Sequence, residues 1–381
     1  MTLTLRRSTL NVSTPHRRGR RSTVAGFALV ALLSGCAVSS TPPAVEPTSD
    51  GPRVPLSELA VLDNPRDYVG PSTALLDSTS IVPITASPPQ SLPTIVTSHD
   101  LGGDQQVTVS DASRILPLDI AGSIAATVFA LGFGDDVIGR DISTTFAEAS
   151  GLPVVTSSGH AISSEAVLAL RPTLVITDGT VGPTDVVLQL REAGITVVYV
   201  DAEPGLAAPS ELARQVAAAL GSPDTGDLLA ERLESELAAV TAEIESIRPT
   251  DPADRVRILF LYLRGTSGIY YLFGDESGAD ELIEAIGGID VAGEIGWQGL
   301  RPMTDEALVA ANPDLILVMT GGLESVGGVE ALLTEKPAVG LTRAGENRRF
   351  VDMADGEVLS FGPRTPDVLD ALARAIYAPG T

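Results

Sequence analysis

Apolar residues in this chain fall into short runs whose spacing changes in a regular order. Val107–Val109, Ile115–Leu118, Val137–Arg140, Leu174–Thr177 and Ile195–Val200 have the length and character of strands. Between them, Ser123–Leu131, Ser163–Leu170 and Asp185–Ala193 repeat apolar residues at the three- and four-residue steps of a helix with one buried face. Alternation of this kind predicts a parallel sheet covered by helices. Leu228, Leu229, Leu233, Leu237, Val240 and Ile244 then predict one long amphipathic helix. It spans roughly 22 residues, about 33 Å, and stops before Pro249 and Pro252. A second alternating segment opens at Val256–Leu263 and continues to the C-terminus.

The two segments repeat one another. Glu165–Ile176 reads EAVLALRPTLVI and Glu306–Leu317 reads EALVAANPDLIL, with five of twelve positions identical. Each copy predicts a short helix stopped at the residue before proline, followed by an apolar strand. Arg114–Ser123 (RILPLDIAGS) likewise matches Arg257–Thr266 (RILFLYLRGT). The offsets, 141 and 143 residues, mark the duplication of a whole lobe rather than a solenoid of short units. The expected fold class is therefore α/β, with two pseudo-repeated lobes joined by one long helix and a ligand cleft between them. A single stiff connection implies a modest closing motion. Leu131-Gly-Phe-Gly-Asp-Asp lacks the third glycine of a dinucleotide fingerprint and follows a helix, so it reads as a turn.

The N-terminus carries an address. Arg6, Arg7, Arg17, Arg18, Arg20 and Arg21 precede a largely apolar run of thirteen residues, Thr23–Gly35. A spanning helix needs roughly 20 residues, so this run is a leader. It ends Leu33-Ser34-Gly35-Cys36, a lipoprotein signal with Cys36, the only cysteine, as lipid acceptor. No internal disulfide or thiolate metal site is then available. The leader holds six of 25 basic residues and no acid, leaving 19 against 49, a net charge of −30. That balance excludes nucleic acid and suits a body held outside the membrane by its lipid alone. The expected divisions are 1–35 leader, 36–93 Pro/Ser/Thr-rich tether, 94–223 N-terminal lobe, 224–250 connecting helix and 251–381 C-terminal lobe. Asn64–Ala74 (NPRDYVGPSTA) is less bland than the rest of the tether and is a candidate for packing on the body.

Lipid signal, tether, two lobes, one connecting helix and the repeated EA-aliphatic-A-x-x-P-x-L resemble the substrate-binding proteins of metal-chelate ABC importers, which serve haem, ferric siderophores and cobalamin. The resemblance covers about residues 100–378. It implies an extracytoplasmic monomer that meets a permease and its ATPase, and it implies no enzyme activity. In the family, one glutamate on each lobe docks onto arginines of the permease; Glu165 and Glu306 match those positions. Both acids also suit the first turn of a helix, with Ser163 and Thr304 as caps, and that local role is sufficient by itself.

Ligand chemistry is expected where the copies differ. Tyr262 stands opposite Asp119, and Arg264 opposite Ala121. Two residues apart at a strand end, Tyr262 and Arg264 share a face, with Gly265 opening the loop toward the cleft. A free tyrosine has a pKa of about 10, but ferric iron displaces that proton and a nearby guanidinium favours the phenolate. Tyrosinate is a haem-iron ligand. His160, opposite Arg301, lies in the loop Ser157-Ser-Gly-His-Ala, while His99 sits near the tether. An iron porphyrin in the cleft would meet one axial ligand from each lobe. This pairing resembles the haemin-binding lipoproteins of actinobacterial haem uptake, the HmuT type. The resemblance implies His160 and Tyr262 as axial ligands of haem iron and Arg264 as support. Met319, in place of Asp178, is either a pocket residue or core, and Arg301 is a further pocket candidate. Tyr270, Tyr271 and Phe273 are either stacking residues or core. A ferric-siderophore or corrinoid binder is the alternative within the class. A secreted enzyme finds no histidine–carboxylate pair, nucleophile elbow or Cys/His cluster here, and an adhesin would need no paired-lobe cleft.

Overall fold

The computed structural model describes residues 53–380 apart from 158, 202, 266–270, 275 and 276. Cys36 and Tyr270 lie outside the described residues. Ahead of the repeat come β1 (Ser72–Ala74) and the antiparallel hairpin of β2 (Thr94–Ser98) and β3 (Gln105–Val109). The N-terminal lobe follows as β4 (Ile115–Leu118), α1 (Ser123–Ala130), α2 (Ser164–Leu170), β5 (Leu174–Thr177), α3 (Thr184–Glu192), β6 (Thr196–Tyr199) and α4 (Ala208–Ala219). Strands β4, β5 and β6 form a parallel sheet in that order.

The connecting helix α5 (Pro223–Ile247) runs 25 residues. Its first half sends Leu229 and Leu233 into the N-terminal core, and its end sends Ile244 into the C-terminal core. One rod thus ties two cores together.

In the C-terminal lobe, β7 (Arg257–Tyr262), β8 (Tyr271–Leu272), α6 (Ala279–Ala285), β9 (Ile289–Asp290), α7 (Val291–Glu294) and β10 (Arg301–Pro302) come first. Then follow α8 (Asp305–Ala311), β11 (Leu315–Met319), α9 (Thr320–Ser325), α10 (Gly328–Glu335), α11 (Pro337–Gly340), α12 (Arg343–Glu346), β12 (Phe350–Met353) and α13 (Thr365–Tyr377). The sheet order is β1-β12-β11-β7-β8-β10, with β9 also pairing β7. β1, β12, β11 and β7 are parallel. Both faces of this sheet are covered, because Phe260, Leu315 and Leu317 feed one core while Leu259, Leu261 and Ile316 feed another. Strands buried on both faces read as unbroken apolar runs.

The duplication is carried by local chemistry. Ser163 and Thr304 accept from Ala166 N and Ala307 N, each at 3.3 Å, and start α2 and α8. Arg171 and Asn312, both before proline, end those helices in the left-handed region at φ 50° and 44°. Arg114 donates to the carbonyls of Leu170 and Arg171, and Arg257 to those of Ala311 and Asn312. The two arginines, one at the head of each copy, therefore satisfy the helix carbonyls that have no partner within the helix.

Two expectations differ from the structure. Residues 53–93 are not a free tether. Leu56 and Ala74 are buried in the C-terminal core, Ile81 is buried in the N-terminal core, and β1 extends the large sheet beside β12. Leu56 N is held by the Glu243 carboxylate at 2.9 Å. Asn64–Ala74 lies within this packed strap. Val137–Arg140 is not a strand, since Val137 bridges Ile115 while Arg140 bridges Val154, two different partners within four residues.

Candidate functional site

Open α/β sheets bind ligands beyond the C-terminal ends of their parallel strands, and the described contacts between the lobes involve loops rather than strands. The segment after β12 supplies the contact. Gly356 lies so close to Ser143 O and Thr145 that a Cβ would meet them at 2.9 and 3.2 Å. Arg364 sits 5.7 Å above the Phe146 ring and is paired with Glu357 at 2.7 Å. From the other lobe, Leu206 N donates to Glu281 of α6 at 2.7 Å.

On the C-terminal side Tyr262 is the last residue of β7 and is half-buried. Its ring meets Phe273 edge-on at 5.7 Å and 76°, and Phe273 packs on Phe260 at 4.8 Å. This aromatic row fixes the phenol while its oxygen stays at the strand end. Arg264 Nη1 donates to that oxygen at 2.6 Å. The bond to Tyr262 holds the Arg264 guanidinium above its ordinary pKa, with Asp355 a lesser contributor. Gly265 turns the chain at φ +58° and bonds to Ser325 Oγ at 2.9 Å.

Met319 ends β11, the strand beside β7, and is half-buried against the C-terminal core. Arg301 is exposed on β10, two strands from β7 across β8. Of the aromatic candidates, Phe273 packs its ring against Tyr262, and Tyr271 pairs with Tyr262 across the ladder of β7 and β8.

On the N-terminal side His160 occupies a tight hairpin closed by Ser157 N to Ala161 O and by the Thr156–Ile162 bridge. Its φ is 57°, a left-handed conformation that is uncommon outside glycine and in which asparagine, aspartate and histidine are found more often than other residues. Nδ1 is buried with no hydrogen-bond partner among the described residues. Ala161 bridges Gly182, so this hairpin lies against the loop after β5. His99 instead bonds Asp104 at 3.1 Å.

An acid cluster on the same edge was not among the sequence-derived candidates. Asp119, directly after β4, is wholly buried and accepts from Ser123 N, Ser123 Oγ and Ile124 N at 2.8, 2.9 and 3.2 Å. Burial pushes its carboxyl up to about 8, and the charges of Asp141 and Asp178 add to the rise. Burial raises Asp141 and Asp178 as well. Asp119 and Asp178 are the counterparts of Tyr262 and Met319 in the repeat. Equivalent strand ends thus carry carboxyl groups on one lobe and a phenol and thioether on the other. A polar residue closing each apolar strand was the available signal.

Glu165 and Glu306 are exposed in the first turns of α2 and α8. The matching capped helices put them at equivalent places on the two lobes.

A family model described as "Periplasmic binding protein" matches residues 120–355. The chain belongs to the periplasmic binding protein family. Within it, the "Uncharacterized ABC transporter substrate-binding lipoprotein YvrC" of Bacillus subtilis (strain 168) is 26% identical over 283 residues, 73% of this chain and 84% of that protein. The crystal structure of heme binding protein HmuT is 37% identical with a TM-score of 0.77, covering 83% of this chain and 99% of HmuT. HmuT has also been solved with one arginine, one tyrosine or one histidine replaced by alanine. The periplasmic heme-binding protein RhuT from Roseiflexus sp. RS-1 is 38% identical with a TM-score of 0.63, covering 70% of this chain and 98% of RhuT. This family membership agrees with the two-lobed α/β reading and with a substrate-binding role outside the cytoplasm. No helix among the described residues is long and apolar enough to cross a membrane.

Proposed function

We propose that this protein captures haemin in the cleft between its lobes and delivers it to the permease of an ABC importer. The observation that carries the reading is the 2.6 Å hydrogen bond from Arg264 Nη1 to the Tyr262 phenol oxygen at the end of β7. Ferric iron displaces a phenol proton when it binds, and the Arg264 guanidinium then faces the phenolate charge. His160 supplies the second axial ligand through Nε2, since Nδ1 is buried. The HmuT variants support the assignment. Their replaced tyrosine and arginine are two residues apart, like Tyr262 and Arg264, and their histidine precedes the tyrosine by 99 residues against 102 here.

Met319 and Arg301 flank the site. Exposed Glu165 and Glu306 dock the loaded protein on the permease, and lipidated Cys36 tethers it to the outer face of the membrane. Titration of the purified protein with haemin tests the reading. A saturable Soret shift that Tyr262→Phe and His160→Ala together abolish is expected. No shift, or one unaffected by both changes, overturns it. Tight binding of a ferric siderophore without haemin binding would point to the other ligand class.

A further inference from the structure

Arg264 can donate to the Tyr262 phenol only while the chain beyond β7 keeps its course. β7 ends at Tyr262, opposite Tyr271 of β8, and its ladder with β11 ends at Leu261 and Val318. Leu263, Arg264 and Gly265 lie past both ladders. The element packed against them is α9, which follows β11 directly.

Helix α9 has six residues, TGGLES, with glycine at its second and third positions. Apart from proline, glycine is the poorest helix former, and neither residue has the left-handed φ that would call for it. Space accounts for both. A Cβ on Gly322 would stand 2.8 Å from Leu263 O, a backbone atom that cannot swing aside. A Cβ on Gly321 would stand 2.9 Å from Asp355 Oδ2. Without those side chains the first turn of α9 lies directly on the strand end.

Hydrogen bonds complete the clasp. Ser325 Oγ donates to Gly322 O at 2.7 Å and accepts from Gly265 N at 2.9 Å. Gly322 thus meets the residue before Arg264, and Ser325 holds the residue after it. Gly321 N donates to Asp355 Oδ1 at 2.7 Å. That carboxylate in turn acts on the Arg264 charge, whose main partner is Tyr262.

We propose that Gly322 and Ser325 are positioning residues: α9 clasps the backbone on either side of Arg264 and so holds its guanidinium on the Tyr262 phenol. Both act through Arg264. The purpose of the clasp, a phenolate presented to ferric iron, rests on the haemin reading.

Haem-free protein labelled with 15N-arginine gives a readout that needs no haemin. The Arg264 side-chain resonance is assigned by its loss in Arg264→Ala, and it should shift in Tyr262→Phe. Ser325→Ala and Gly322→Ala should shift it likewise, while Ser325→Thr keeps it in place. Glu324→Gln, at an exposed position of the same helix, should leave it unmoved. In Soret titrations Ser325→Ala should weaken haemin binding by about threefold to tenfold, the worth of one neutral hydrogen bond. Gly322→Ala should weaken it by about tenfold. In an Arg264→Ala background Ser325→Ala should cost nothing further, whereas a general loss of stability would add in full. An Arg264 resonance unmoved by both α9 substitutions overturns the proposal, as does full additivity. Ser325 is exposed, so its variant keeps the test open even if Gly322→Ala does not fold. Absence of haemin binding in the parent protein overturns the haemin reading and not the clasp, which the resonance judges alone.

Discussion

Arg264 Nη1 reaches back over two residues to donate to the Tyr262 phenol oxygen at 2.6 Å. Alternation along an extended chain puts residues i and i+2 on one face, so the bond needs no special loop. Support of an iron ligand by an outer partner is commonly worth about 10–100-fold in affinity. Arg264→Ala is therefore expected to weaken haemin binding by about that factor. Tyr262→Phe should also remove the phenolate-to-iron charge-transfer absorption. Absorbance titrations check both.

His160, the proposed second axial ligand, also has an unfavourable backbone. At φ 57° a residue bearing a Cβ pays about 1–2 kcal/mol that glycine does not. His160→Gly should thus exceed His160→Ala in stability by about 1 kcal/mol in urea unfolding, although both remove the proposed axial ligand. Equal stabilities would show that the hairpin does not impose this conformation.

The Asp119 carboxyl stands at about 8 in the fold against 3.8 as its ordinary value. Between these values the native state holds a proton that the unfolded chain has released. The resulting stabilisation is complete below about pH 4 and is lost as pH rises through about 8. Three donated hydrogen bonds favour the charged form and limit its size. Each pKa unit is worth about 1.4 kcal/mol, so the contribution is on the order of a few kcal/mol. Asp119→Asn should flatten the decline in stability from pH 5 to 8.5, as read by denaturant midpoints.

Glu357 and Arg364 pair at 2.7 Å with side chains 7% and 9% exposed. Removing one partner strands the other charge, at a cost of about 3–5 kcal/mol. Arg364→Ala should reach that range in chemical denaturation, while Glu357→Leu with Arg364→Met should cost much less. A small effect of Arg364→Ala alone would mean that water reaches Glu357.

Glu165→Arg with Glu306→Arg alters only exposed positions, so folding and haemin titration should be preserved. Reconstituted importer should lose stimulation of its ATPase by the loaded protein. Undiminished stimulation would remove these glutamates from the docking surface.

The repeat was legible because its signals are local. Ser163 and Thr304 cap their helices from within the sequence, and Arg171 and Asn312 stop them by preceding proline. Tyr262 and Arg264 were legible as differences between copies at a strand end. The same comparison held Asp119 and Asp178 without disclosing their chemistry. A carboxyl group is ordinary until burial and a second acid change its proton affinity, and Asp141 joins it only through folding.

By itself the sequence determined the alternation of strands and helices, the duplicated lobes, the joining helix and the residue types available to a ligand. Periodicity, capping and proline act over a few residues, so one-dimensional order is enough. Tertiary structure alone decided that residues 53–93 are folded, because Leu56, Ala74 and Ile81 are isolated apolar residues whose partners lie far away in the chain. It also decided which acids are buried together. Those outcomes depend on packing and desolvation between distant segments, which no local pattern encodes.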